Sequence, residues 1–198
     1  MVHGIPNKIP IQEGDIISID CGVLQNGYYG DHAYTFAVGE IETETEKLLE
    51  RTKASLYKGI EAFCIGNRVG DVGYAIQQYV EQFGYGVVRE LVGHGLGTTM
   101  HEKPEMPNYG KRGKGKSFIE GMVVAIEPMI NSGTHRVKQL QDGWTIVTAN
   151  DAQSGHFEPN VTIMAGKRGL ISTFDDVDQE LGIITEEEAP FRGVHLAI

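Results

Sequence analysis

Between Ile16 and Leu24 apolar and polar positions partly alternate, and β-branched residues are frequent, which predicts a strand over 15–24. Asn26-Gly27 follows, the strongest short signal for a two-residue hairpin turn, and 28–38 supplies the return strand. With that turn, Leu24 pairs with Tyr29, Gly22 with Asp31, and Asp20 with Ala33. Asp20 and Asp31 then lie diagonally on one face, their Cβ atoms about 7 Å apart. From Thr43 the apolar period changes to that of a helix, with Leu49, Leu56, Ile60 and Phe63 on one side and Gly66 as the stop. Thr43 and Glu46 have the spacing of a capping box. A second helix over 69–83 carries Val72, Ile76, Tyr79, Val80 and Phe83 on one side. Further strands are expected at 86–92, 122–127, 143–149 and 156–164, with a mobile basic, glycine-rich loop over 107–117. Beyond Thr173 the chain is acidic and reads as a fraying tail, above all at 185–189. A hairpin, two helices and then more strands make an α+β order rather than alternating βαβ units.

A length of 198 residues favours one domain with a sizeable core. The formal net charge of −10 argues against a nucleic-acid partner, whose phosphates would be repelled. Cys21 and Cys64 allow one disulfide, but two cysteines in a chain of this kind read as reduced thiols. No run of about 18 apolar residues is present, and the N-terminus has no basic segment leading into an apolar one. The expectation is a cytoplasmic protein without a membrane span.

Candidate chemistry concentrates in carboxylates and histidines next to apolar strands. Asp20 and Asp31 on one hairpin face either hold a cation between them or form a solvent-facing polar side. His94 lies in Gly93-His94-Gly95-Leu96-Gly97, where small neighbours leave room for approach to the imidazole. His101-Glu102 is not the zinc-protease HExxH, because Glu105 stands where the second histidine belongs and Pro104 breaks the required helix. Nor do the glycines after His94 have dinucleotide-loop spacing. Glu127 terminates the strand MVVAIE and Glu158 sits between Phe157 and a β-branched run, both costly to bury unless paired or metal-bound. Asp20, Asp31, His94, Glu127 and Glu158 together offer oxygen-rich ligation with one imidazole, which suits Mn, Fe, Co or Zn.

The segments VHGIP (2–6), EGDIISIDCGV (13–23), GYYGDHAYTF (27–36), GHGLGTTMHEKPEMPNYG (93–110), AIEPM (125–129), DGWT (142–145) and HFE (156–158) occur in this order. Together they resemble the type I methionine aminopeptidases, including the intervals of eleven from Asp20 to Asp31 and seven from His94 to His101. GHGLG and HEKP alone also fit the related Xaa-Pro peptidases. The resemblance implies the pita-bread fold, a pseudo-twofold antiparallel sheet backed by helices, over 1–182, with 183–198 an unassigned acidic tail. It implies two divalent metal ions (Co, Mn, Fe or Zn). Asp20 would bind one, Asp31 and Glu158 would bridge both, and His94 and Glu127 would complete the second. It further implies removal of N-terminal methionine from polypeptides by a metal-bound hydroxide, preferentially before small second residues. Glu127 would be the proton shuttle, His101 would stabilise the oxyanion, His3 would contact the scissile amide, and Met100 and Trp144 would line the methionine pocket. The implied partners are nascent polypeptide N-termini, with ribosome association, and the implied state is a monomer. The rivals are an Xaa-Pro peptidase and an inactive truncated domain acting as a binding module.

Three departures from the family pattern carry expectations of their own. About seventy residues, with two helices and a strand, normally precede VHGIP, so half of the sheet is expected to expose an apolar face. His-Thr normally follows the last glutamate, whereas here Pro159-Asn160 does. A proline has no N–H to give, so the strand beside Glu158 is expected to weaken and the carboxylate geometry to suffer. The stretch 183–198 matches nothing in the family pattern.

Overall fold

The computed structural model describes residues 1–182 and begins with the expected hairpin. β1 (Ile16–Gln25) and β2 (Tyr28–Ala37) are antiparallel, with Leu24 opposite Tyr29, Gly22 opposite Asp31 and Asp20 opposite Ala33. Asn26 (φ 52°) and Gly27 (φ 85°) both take the left-handed conformation that a type I′ turn requires. The two strands differ in environment. Asp31, Ala33, Tyr34 and Thr35 of β2 are buried, whereas β1 is open to solvent, with Ile19, Val23 and Leu24 more than half exposed. Ile19 and Val23 lie on one face of β1 and Leu24 on the other, since side chains alternate along a strand.

α1 (Thr43–Ala62) and α2 (Val69–Glu81) follow. The Thr43 capping box does not form: Thr43 is already the first helical residue, Glu42 takes the cap position, and its side chain makes no capping bond. α2 has the better-built start, since the Asp71 carboxylate accepts the Arg68 backbone N–H at 2.8 Å. The 107–117 segment is not a free loop but is strapped over this helix start. Val69 and Gly70 donate their N–H groups to the carbonyls of Lys116 and Lys114, and Gly113 donates to Asp71. These bonds satisfy donors that a helix N-terminus leaves unpaired. Gly73 admits the Tyr109 carbonyl where any side chain would collide.

The chain then runs through β3 (Gly86–Val87), β4 (Gly93–Gly95), β5 (Glu102–Met106), β6 (Val123–Ala125) and β7 (Met129–Asn131). It continues through β8 (Val137–Gln139), β9 (Ile146–Thr148), β10 (Ser154–His156), β11 (Asn160–Met164), β12 (Lys167–Leu170) and α3 (Asp175–Leu181). Among the described residues all strand pairings are antiparallel, in the β1-β2 hairpin, a five-stranded sheet (β12-β11-β6-β4-β5), a three-stranded sheet (β10-β7-β3) and the β8-β9 pair. The expected α+β order holds, with shorter strands than the apolar runs suggested. The run at 122–127 narrows to β6, which leaves Glu127 in the link to β7. The run at 156–164 is interrupted at Pro159, whose carbonyl accepts from Ile126 but whose nitrogen cannot donate back.

α1 and α2 lie against these strands around one core. Leu56, Ile60, Phe63, Ile76 and Val80 from the helical side meet Val87, Val124, Ile126, Ile130, Val161 and Ile163. The acidic stretch after Thr173 does not fray at its start, because α3 docks through Asp178. That carboxylate is buried, accepts the Tyr34 hydroxyl at 2.8 Å and pairs with Lys53 Nζ at 2.5 Å. The 185–189 stretch lies outside the described residues. Truncating one partner of a buried pair costs roughly 3–5 kcal/mol. Asp178→Ala is therefore expected to lower the unfolding free energy in urea by about 3 kcal/mol, and a loss below about 1 kcal/mol would show that α3 is not anchored this way.

Candidate metal centre

Asp31 and Glu158 stand on different strands and are brought together by backbone. Ala33 donates its N–H to the Glu158 carbonyl at 3.0 Å, and Glu158 donates back at 2.9 Å. The Asp31 N–H is taken by the Asn160 side-chain oxygen at 2.8 Å. Pro159-Asn160 thus interrupts the strand, yet Glu158 keeps both ladder bonds and Asn160 adds a tie to the neighbouring carboxylate strand. Glu127 is held from behind, where the Asn108 amide donates to its carbonyl at 3.0 Å.

His94 is oriented by its own strand. Nδ1 lies 2.9 Å from the Gly95 carbonyl, which can only accept, so Nδ1 donates there and Nε2 is the nitrogen turned toward Asp31 and Glu127. The flanking glycines serve packing rather than access to the ring. A Cβ at Gly93 would strike the Ala125 carbonyl, and one at Gly95 would lie 2.6 Å from the Lys103 carbonyl.

His94 Nε2 lies 3.6 Å from Asp31 Oδ2 and 3.6 Å from Glu127 Oε1. Two sets of three residues each bring one ligand atom apiece within 4.8 Å of one another: Asp31, His94 and Glu158, and Glu127, His156 and Glu158. Glu158 belongs to both. Crowding of buried carboxylates raises proton affinity. Burial pushes the Asp31 carboxyl up to about 6, helped by the charges of Asp20 and Glu127 and opposed by His94. Burial also holds Glu158 well above the usual range, with Glu127, Asp31 and Asp20 adding to it. Asp31 Oδ1, Glu158 Oε1 and both His156 ring nitrogens are buried without a hydrogen-bond partner. A donor set of carboxylates and imidazoles, mutually repelling and unsatisfied, fits divalent cations.

The other expected residues lie around this cluster. Asp20 is exposed at the rim and in neither group, although its charge reaches Asp31 and Glu158. It opens on a groove of about 960 Å³ with His3, Trp144 and His156. Trp144 is 57% exposed, and His3 stacks on it at 4.7 Å between ring centroids. His101 is exposed, its ring 4.3 Å from that of His94, in a separate hollow of about 310 Å³. The Met100 methyl packs against Gly22, opposite Asp31, where a side chain would collide with it. His156 was not singled out from the sequence. Its signal was present in His156-Phe157-Glu158, since alternate residues of an extended segment share a face.

The profile of Metallopeptidase family M24 matches residues 1–165. The chain belongs to metallopeptidase family M24. An M24 relative named methionine aminopeptidase, from Clostridium acetobutylicum, is 53% identical over 165 residues, covering 83% of this chain and 66% of the relative. The chain therefore spans just under two thirds of that relative's length. The crystal structure of methionine aminopeptidase from Rickettsia prowazekii superposes with a TM-score of 0.83 at 40% identity, covering 85% of this chain and 68% of that one. The prolidase from Pyrococcus furiosus, at 24% identity and a TM-score of 0.68 over 85% of this chain and 44% of its own, shares the fold alone. The M24 chain has the pita-bread fold of these structures, antiparallel sheets backed by helices.

The pKa shifts give the M24 centre a pH signature. Asp31, raised from 3.8 to about 6, favours the folded chain below the lower value and loses that contribution as pH rises through 6. His32, pushed by burial from 6.5 down to about 4, acts oppositely over the same window, so folding stability is a blunt readout. Metal binding is sharper, because a cation must displace the protons on Asp31 and Glu158. Titration calorimetry of Mn²⁺ in buffers of different ionisation enthalpy is expected to show proton release at pH 6 that shrinks by pH 8. Affinity should rise over the same interval, and a flat affinity with no proton release would contradict the clustered-carboxylate description.

Proposed function

We propose that the chain is a dinuclear metal-dependent aminopeptidase that removes N-terminal methionine from polypeptides, with 1–182 as its catalytic domain. The observation that supports this best is the pair of ligand groups sharing Glu158, in a chain 53% identical to a methionine aminopeptidase. In this reading Asp20, Asp31 and Glu158 hold one ion, and Asp31, Glu158, His94 and Glu127 hold the other. A pair of divalent ions held by these residues would supply Lewis acidity and would lower the pKa of a bound water.

The residues then have separable tasks. Glu127 takes the proton that water gives up as its oxygen adds to the first peptide carbonyl. It returns that proton to the nitrogen as the carbon–nitrogen bond breaks, releasing methionine and a shortened chain. His101, beside His94, donates to the developing oxyanion. His3, stacked on Trp144, faces the groove in which the scissile amide lies, and Trp144 and Met100 bound the methionine side chain. The substrates are N-termini of nascent polypeptides met near the ribosome in the cytoplasm, and the chain acts as a monomer.

After chelation, the 198-residue chain is expected to release methionine from Met-Ala-Ser only when Mn²⁺, Co²⁺, Fe²⁺ or Zn²⁺ is restored. Ala-Pro-Ser, offered in parallel, should remain intact. Turnover of the proline peptide alone would favour an Xaa-Pro peptidase, and a metal-loaded chain without turnover would contradict the proposal. Glu127→Ala should abolish turnover, and His101→Ala should lower kcat by about 10²–10³, the usual cost of one oxyanion donor.

A further inference from the structure

We propose that His156 supplies a second imidazole to the metal centre, a nitrogen ligand beyond the set of Asp20, Asp31, His94, Glu127 and Glu158. The inference rests on the metal-centre reading and deepens it. His156 ends β10 and is 2% exposed. Its backbone is clamped on both sides, since its N–H donates to Thr35 Oγ1 at 2.9 Å and its carbonyl accepts that hydroxyl at 2.7 Å. Phe157 points the opposite way, into the core against Tyr34, which turns His156 and Glu158 to the same side. The ring is therefore fixed in place by residues that do not touch its nitrogens.

Those nitrogens have no hydrogen-bond partner. A neutral imidazole carries one donor and one acceptor, and leaving either buried and unpaired costs about 1–3 kcal/mol. The nearest carboxylate does not remove that cost. Nε2 is 3.7 Å from Glu127 Oε2, beyond hydrogen-bond distance. Two ligand atoms each about 2.0–2.2 Å from a shared cation lie about 3–3.6 Å apart, depending on the coordination angle. The separation at His156 is close to that spacing and nearly equal to the 3.6 Å that His94 Nε2 keeps from Asp31 and Glu127. His156, Glu127 and Glu158 can each offer an atom to one ion, the same ion that Glu127 and Glu158 share with His94 in the proposed function. A second imidazole also makes the donor set less exclusively oxygen, favouring Co²⁺, Fe²⁺ and Zn²⁺ over ions that prefer oxygen.

The test counts imidazoles in the folded, metal-loaded chain. X-ray absorption at the cobalt edge reports imidazole through its ring scattering, and calorimetry gives Co²⁺ affinity for the wild type, His156→Gln and His94→Ala. The expected result is two imidazoles per dinuclear centre in the wild type and one in each variant. Co²⁺ affinity at one site should fall at least about tenfold in His156→Gln, the lower bound for losing even an outer partner of a ligand. One imidazole in the wild type, or a His156→Gln protein with unchanged cobalt spectrum and affinity, overturns the proposal. If His94→Ala loses an imidazole while His156→Gln does not, the metal centre stands and this assignment fails. A wild-type chain that binds no cobalt removes both. The wild-type count needs no variant, so a misfolded substitution leaves the test intact.

Discussion

Two backbone hydrogen bonds between Ala33 and Glu158 join the hairpin to the strands that follow the helices. Everything proposed for the centre depends on them, because they place Asp31 and Glu158 beside each other despite their separation along the chain. Asn160 adds a third tie through the Asp31 N–H. Side-chain attraction does not hold this junction; burial first, and the neighbouring carboxylate charges second, raise the proton affinities of Asp31 and Glu158. The fold thus stores an electrostatic cost that a proton or a cation relieves.

The surroundings serve that junction. α1 and α2 bury the strands from one side, and the 107–117 strap satisfies the start of α2 with backbone carbonyls. The glycines around His94 let β5 and β6 close on β4 tightly enough to bring the imidazole to Asp31 and Glu127. Lys53 and Asp178 pin α3 over the far side of β2 through Tyr34. The approach side is left open: β1 is exposed, and the groove from His3 and Trp144 to Asp20 is wide.

Local chemistry was the most legible part of this sequence. Asn26-Gly27 fixed the hairpin register to the residue, because a two-residue turn leaves no freedom in pairing. Asp31, His94, Glu127 and Glu158 were readable as carboxylates and an imidazole next to apolar runs, and the motif order supplied the family. What was missed depends on tertiary approach. The purpose of Gly93 and Gly95 could not be seen without the strands on either side, and the 107–117 strap looks mobile until α2 is laid beneath it. Strand ends were set by Pro159 and by the irregular link through Glu127 and Pro128 rather than by hydrophobicity. His156 was overlooked because one histidine beside a glutamate is common, and only burial of both ring nitrogens without partners distinguishes it.

The central claim is that Glu158 sits between two divalent ions. Anomalous diffraction from crystals grown with Mn²⁺ tests it most directly. The account predicts two anomalous peaks about 3.5–4 Å apart, one beside Asp20 and one beside His94 and Glu127, with Asp31 and Glu158 between them. A single peak remote from Glu158, or none at saturating Mn²⁺, would contradict it.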